Sequence, residues 1–448
     1  LKISKDDLER LEENPIELFY QGIKSPETKD KYTRTLRRIL CDILEDLLHG
    51  SLEDRAAQLV DMAKKDPHWI TNVLLTLSRK LKERTELDKS DPNYLNPESF
   101  DNFFKPIKKL LEMNDVPIVW KRIYATFPER SNRNETRGYT RQEIQKMLNF
   151  TNGPIDKAII LIAASSGIRI GGFNLTWEDV IPVYRVDDKL LLEITESESD
   201  NADIACAILK IYRGTPEEYP AFITPEAYNA LMDYRMSWIK DVGREPKPKD
   251  PLFKKAGFFV RPLNPDAIKA RVDAVIKKAG IRTPLAKGKR RHEIPVMNGF
   301  RRFFNKANKE TLSKDSPLAA LIKKEYMMDH VGLTQLDRNY FKTHVMELIE
   351  EYLNAVPNLT ISDVERQKLR IEKLENDKAD LLSQNKDLLG LAKIPVTEEE
   401  KEEWAKIALS LFQKNFFKNT NPKILKQPLG RTDDRRPFPH TRKKKNSV

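Results

Sequence analysis

Cysteine is nearly absent. The 448 residues contain only Cys41 and Cys206, and neither has a Cys or His neighbour at metal-ligand spacing, which argues against a disulfide framework and against a zinc site. Both thiols are expected to be reduced and buried. Long apolar runs are missing as well: no stretch approaches the roughly 20 residues needed to cross a bilayer, and the N-terminal segment has no apolar signal-peptide core. The expectation is a soluble, intracellular protein that makes no membrane contact.

Charge, in contrast, is plentiful. Charged residues make up 33% of the chain, and 79 Lys and Arg outnumber 68 Asp and Glu, for a net charge of +11. Cations that neutralise phosphates release condensed counterions, so a surplus of this sign favours a polyanionic partner, although many basic proteins bind no nucleic acid. With 39% hydrophobic residues the chain can bury real cores, and its length corresponds to about two to four domains.

Residues 1–130 read as helices only, a small helical domain. Ser25-Pro26 supplies a cap and a first-turn proline, and Tyr32, Leu36, Ile39, Leu40, Ile43 and Leu47 follow at helical spacing. Lys29, Arg34 and Arg37 lie mostly off that stripe, as either a solvated face or a surface laid against a phosphate backbone. The polar stretch PERSNRNETRG has no apolar period and reads as a linker, with residues 131–137 at its centre. Thr140-Arg141-Gln142-Glu143 is a capping box, Ala158 to Ala164 a buried helix, and Gly167 its stop. From Val180 to Thr224 the pattern turns β-rich, with Lys189 to Thr195, Ala205 to Tyr212 and PAFIT giving a small antiparallel sheet of about three strands. Helices resume at Thr224-Pro225 and Asn264-Pro265. A basic loop with Lys287, Lys289, Arg290 and Arg291 then precedes HEIPVMNGFRRFFNKANKE. Beyond residue 356, Val364, Ile371, Lys378 and Asn385 share one heptad position and Leu374, Leu381 and Leu388 another, a coiled-coil-like pattern over 357–395. A further helix opens residues 396–448, which end in a Pro-rich basic tail.

Four residues between positions 169 and 340 carry the chemistry. Arg169 sits at a Gly-terminated helix junction, and Arg301 is beside the aromatic face of Phe300, Phe303, Phe304 and Ala307, with Asn298 as the expected N-cap. His330 follows two Met and an Asp, and Tyr340 comes ten residues later. Each has a bland reading by itself: a surface Arg in an ion pair, a capping His, a core Tyr. Brought together, two guanidiniums can hold the nonbridging oxygens of one phosphate, while an imidazole manages protons and a phenol attacks. His292, nine residues before Arg301 and next to Arg290 and Arg291, reads as a surface or backbone-phosphate contact.

The order and the local words resemble the tyrosine recombinase (phage integrase) family over residues 138–356. Ser166-Gly167-Ile168-Arg169, continued by Leu175, Trp177 and Asp179, is similar to the first box, Thr-Gly-Leu-Arg. Asn298-Gly299-Phe300-Arg301 matches the second, His-x-x-Arg, and Met328-Asp329-His330 the third, Leu-Gly-His, with Tyr340 at the nucleophile's distance. The phrases GFRRFF and YRGTPEEYPAFITPEA look most like archaeal integrases.

The resemblance implies a mainly α fold with a small antiparallel β-sheet: a helical core-binding domain, an α+β catalytic domain at 138–356, then the coiled-coil-like helix and the basic tail. It implies a site-specific recombinase that forms a 3′-phosphotyrosyl link through Tyr340. Arg169, Arg301 and His330 would activate the phosphate, and a hairpin lysine would be general acid, for which Lys210 is the choice and Arg213 the rival. No metal or cofactor is implied. The partner would be double-stranded DNA carrying specific sites, bound by a homotetramer in the cytoplasm at the nucleoid. Three departures stand out: Asn298 for a basic residue, Gly172 for a carboxylate that orients the first Arg, and Asp329 for Gly before the third-box His, where it could raise the pKa of His330. They keep open a non-catalytic DNA-binding or architectural protein on a degenerate scaffold, beside a type IB topoisomerase-like strand transferase.

Overall fold

The computed structural model describes residue 5 and residues 14–129, 136–187, 189–195, 198–285, 292–311, 317–330, 344–391 and 398–419. By contact density the chain divides into two compact units, Leu1–Arg366 and Gln367–Val448.

Helix formation in the first part follows from local signals. The helices are α1 (Pro15–Gln21), α2 (Pro26–Arg37), α3 (Leu52–Lys65), α4 (Pro67–Glu86), α5 (Asp101–Met113) and α6 (Trp120–Tyr124). Ser25 and Asp66 cap α2 and α4 ahead of a first-turn proline, and Ser51 and Asp54 form a capping box on α3. The apolar stripes of these helices meet in one hydrophobic cluster built from residues between Ile16 and Ile123, with Leu36, Leu40, Leu59, Leu74 and Ile107 fully buried. One expectation fails here. Helix α2 runs into a π-helical turn, Arg38–Ile43, and the helix ends there, with a non-helical turn following over 44–47. Leu44 and Leu48 are therefore buried, and Leu47 is 47% exposed.

The next part is mixed. Helices α7 (Arg141–Leu148) and α8 (Pro154–Ser166) are followed by strands β1 (Val180–Val186), β2 (Lys189–Leu191), β3 (Asp203–Ile211) and β4 (Tyr219–Ile223), then α9 (Pro225–Val242), α10 (Pro265–Lys278), α11 (Val296–Lys309), α12 (Pro317–Met327), α13 (Val345–Leu353) and α14 (Val356–Leu359). The strands form one antiparallel sheet of order β2-β1-β3-β4. The fold is thus mainly α with a small antiparallel sheet, as expected, although four strands rather than three are present among the described residues. The strand the sequence concealed is β1: Pro182 lacks a ladder donor and demotes the run, yet it pairs with Ala207, next to a bulge at Val183/Tyr184.

Helix α8 is the centre of this part. Every residue from Ala158 to Ser166 is buried, and α9, α11 and β4 pack around it. Its fixed C-terminal end is what positions the site. Cys206 is buried, and burial pushes its thiol up to about 12; Cys41, expected to be buried, is only half-buried.

Helix α15 runs from Asp363 to Leu391, and α16 from Glu398 to Asn419 within the second unit. On α15 the heptad residues Ile371, Leu374 and Leu381 are more than half exposed. No helix among the described residues is long and apolar enough to cross a membrane.

Candidate active site

The first guanidinium is placed by a helix stop. Helix α8 ends at Gly167, whose φ of 60° is left-handed, and a Cβ there would lie 2.5 Å from the Phe304 ring. Glycine is therefore required twice, for backbone conformation and for close packing. Ile168 turns inward, 3% exposed, and Arg169 emerges on extended backbone. Its Nη1 donates to Asp329 Oδ2 at 2.6 Å and its Nη2 to the Asp329 carbonyl at 3.1 Å.

The second guanidinium leaves the edge of a buried aromatic face. Phe300, Phe303, Phe304 and Ala307 are buried on α11, and the neighbouring Arg301 donates through Nη1 to the Gly167 carbonyl at 2.7 Å and through Nη2 to the Met328 carbonyl. Burial, then the nearby positive charge of Arg169, lower the Arg301 pKa from its ordinary value. Asn298 is not the N-cap: Pro295 precedes the first helical residue, Val296, and Val296 and Met297 are buried, so the helix begins earlier than expected. Asn298 instead lies within the first turn, exposed.

The third component is the turn that ends α12. Asp329 has a φ of 50°, a region that disfavours most side chains but that Asp tolerates. It carries His330 back so that its amide donates to the Glu325 carbonyl at 3.1 Å and its Nδ1 lies 2.6 Å from Glu325 Oε2. Glu325 is 6% exposed and also pairs with Lys309. Burial raises its pKa, but the bonds from Lys309 and His330 outweigh this and hold the carboxyl below the usual range. The Asp329 carboxylate thus bonds Arg169, and Glu325 bonds the imidazole of His330. The left-handed residue 329 reverses the chain after α12, which brings both contacts about.

Arg169, Asn298, Arg301 and His330 line one cleft of about 500 Å³, with Arg302 and Asn305 beside them. Lys210 does not join it. Strand alternation puts Lys210 with Pro220 on one face of the sheet and Ile211 with Tyr219 on the other. Ile211 and Tyr219 are the pair on the cleft side: Ile211 fills the space a Cβ at Gly172 would need, 3.0 Å away, and the Tyr219 hydroxyl lies beside Arg301, although outside good hydrogen-bonding geometry. Arg213 is held elsewhere, by Glu178 at 2.8 Å and Asp179 at 3.5 Å. Tyr340, Lys287, Lys289, Arg290 and Arg291 lie outside the described residues. Lys29, Arg34 and Arg37 are exposed on α2; Lys29 stacks over Tyr20, and Arg34 pairs with Asp30. His292 is half-buried, and burial, then Arg282, lower its pKa.

Sequence reasoning missed Glu325, Tyr212 and Tyr219. Glu325 lies five residues before His330, a spacing that only a helix followed by a tight reversal turns into a contact. Tyr212 has a φ of 55°, and its hydroxyl lies 3.1 Å from where a Cβ on Gly171 would stand. Burial raises the pKa of both phenols, pushing Tyr219 up to about 12, while Arg169 and Arg301 work against the rise.

No family model and no curated protein matches the chain. Among solved structures it is similar to a XerH site-specific recombinase bound to its palindromic difH substrate in a post-cleavage complex, at 14% identity over 69% of this chain and 92% of that one, with a TM-score of 0.41. It is also similar to a lambda integrase dimer bound to a core site, at 12% identity over 77% and 93%, with a TM-score of 0.39. A XerA recombinase matches at 12% identity over 76% and 98%, with a TM-score of 0.30. Likeness at this level carries no weight for the chemistry, which is argued from this chain's own residues.

Proposed function

We propose that the chain is a tyrosine-type site-specific DNA recombinase, an integrase that cuts and rejoins DNA through a covalent link to Tyr340. The observation that carries this reading is the convergence of Arg169, Asn298, Arg301 and His330, drawn from three separated segments, on one open cleft. Two fixed guanidiniums suit the nonbridging oxygens of a phosphodiester and the charge that builds on them during displacement. The Tyr340 oxygen would bond to phosphorus as the bond to the 5′-oxygen breaks, conserving the ester's energy for rejoining. His330, braced by Glu325, would bind a nonbridging oxygen or take the phenol's proton, since an unperturbed phenol titrates near ~10. Lys210 lies on the far face of the sheet, so we assign the proton for the departing 5′-oxygen to water in the open cleft; Lys210→Ala should then leave cleavage within about threefold.

Duplex DNA would be gripped largely through phosphates, by the exposed cations of α2 and the basic stretch from Lys287 to Arg291. Affinity should fall steeply with ionic strength, and a salt-independent affinity would count against this grip. Assembly into a tetramer is assigned to α15, whose exposed Ile371, Leu374 and Leu381 occupy heptad positions. Leu374→Glu with Leu381→Glu should abolish assembly on two-site DNA in sedimentation while leaving single-site cleavage intact.

A nicked duplex, from which the cut fragment escapes, tests the enzyme reading. Wild type should become covalently linked and Tyr340→Phe should bind without linking. Equal behaviour of the two would favour a DNA-binding or architectural protein, a reading that Asn298 in place of a proton-carrying residue keeps in view. Relaxation of supercoils without paired sites would favour a topoisomerase-like transferase.

A further inference from the structure

The turn that ends α12 does more than deliver His330. Met328 and Asp329 present two successive carbonyls to the cleft, one taking Arg301 and the other Arg169, and the Asp329 carboxylate adds the 2.6 Å bond to Arg169 Nη1. Among the described residues, Asp329 supplies both hydrogen bonds of the Arg169 guanidinium. That matters because the Arg169 side chain is 43% exposed while Asp329 is 12% exposed: a long, mobile cation is held by a short, sheltered acid. An arginine left to solvent keeps rotamer freedom that it must lose on meeting an anion. Position 172, three residues on, carries no acid, and a Cβ there would lie 3.0 Å from Ile211. The left-handed φ of 50° at Asp329 is a conformation that persists where the surroundings hold it, and here the Asp329 amide on the Tyr326 carbonyl, the His330 amide on the Glu325 carbonyl and the bond to Arg169 all contribute.

We propose that Asp329 is a positioning residue, which fixes the Arg169 guanidinium so that its remaining N–H donors meet one nonbridging oxygen of a phosphate in the cleft. The inference rests on reading this cleft as a phosphate-activating site. It makes Asp329 act only through Arg169 and only when that oxygen carries charge.

The experiment compares two nicked duplexes, one with an ordinary scissile phosphate and one in which a methyl group replaces a nonbridging oxygen, leaving the linkage neutral. The full-length chain is used as wild type, Asp329→Asn and Asp329→Gly; glycine removes the carboxylate while easing the left-handed turn. On the ordinary phosphate both variants should form the covalent complex about 30-fold to 100-fold more slowly than wild type, with DNA affinity changed less than about threefold. On the neutral linkage wild type and both variants should react within about threefold of one another, because no charged oxygen remains for Arg169 to meet. Equal slowing on both duplexes, or an Asp329→Gly variant as fast as wild type on the ordinary phosphate, would overturn the assignment. If wild type links to neither duplex, the strand-transferase reading falls and takes this inference with it, a result distinct from one in which wild type reacts and residue 329 is indifferent.

Discussion

The α1–α6 cluster and the cleft at the end of α8 use charge in opposite ways. In the cluster the core is apolar, and ion pairs such as Arg34–Asp30 and Lys65–Asp61 lie one helical turn apart with both partners largely exposed. Around the cleft the same residue types are gripped by partners far away in sequence: Arg169 by Asp329, Arg301 by the Gly167 carbonyl, and Lys324 by Glu351 at 3.1 Å. A local pair on a solvated face contributes little because water and entropy compete with it. A cation tied to a distant carboxylate or carbonyl is fixed in place, and fixed charge is what phosphate chemistry requires.

Removing a guanidinium from the cleft should have the largest effect. Arg301→Ala is expected to slow covalent linkage to a nicked duplex about a thousandfold with DNA affinity reduced less than tenfold; a matching loss of affinity would make Arg301 a binding residue only. Next comes the buried pair. Lys324 and Glu351 are 1% and 7% exposed at the side chain, and Lys324 also bonds Thr311. Burial lowers the Lys324 pKa, with Glu351 opposing the shift. Lys324→Met strands a buried carboxylate and should cost about 3–5 kcal/mol, whereas Lys324→Met with Glu351→Leu should recover most of it. Equal denaturant midpoints for the single and double variants would contradict that.

Glu325 gives a smaller, pH-dependent effect. Its pKa in the folded protein lies below the ordinary 4.5, so its contribution is fully present above that value and disappears as pH falls through the folded pKa. Thermal unfolding followed from about pH 6 to about pH 3 should show a slope that Glu325→Gln flattens; an unchanged slope would mean that other carboxylates carry it. At the bottom of the scale, Asp30→Asn should leave the melting temperature within about 1 °C, since its partner Arg34 is 74% exposed. A larger drop would erase the contrast between the two regions.

The same contrast explains what was legible beforehand. Caps, first-turn prolines and apolar periods act within a few residues, so α2, α7, α8, α9 and α10 could be read directly, as could the stop at Gly167. The helix end at Ile43 could not, because the apolar spacing carries on past it, and in the turn that follows Leu48 rather than Leu47 enters the core. In the cleft, Arg169, Arg301 and His330 stood out through their spacing and neighbours, whereas their anchors did not. Asp329 reaches Arg169 only through a left-handed turn, and Glu325 reaches His330 only because that turn reverses the chain. Asn298 looked like a cap because Asn is a good one; Pro295 had already started the helix.

The central claim is that residue 340 is the attacking group. The covalent complex formed on a nicked duplex, digested with nuclease and trypsin and analysed by mass spectrometry, tests it directly. The expected result is a nucleotide adduct on the peptide between Arg338 and Lys342, carried by Tyr340. An adduct on another side chain, or no adduct at all, would contradict it.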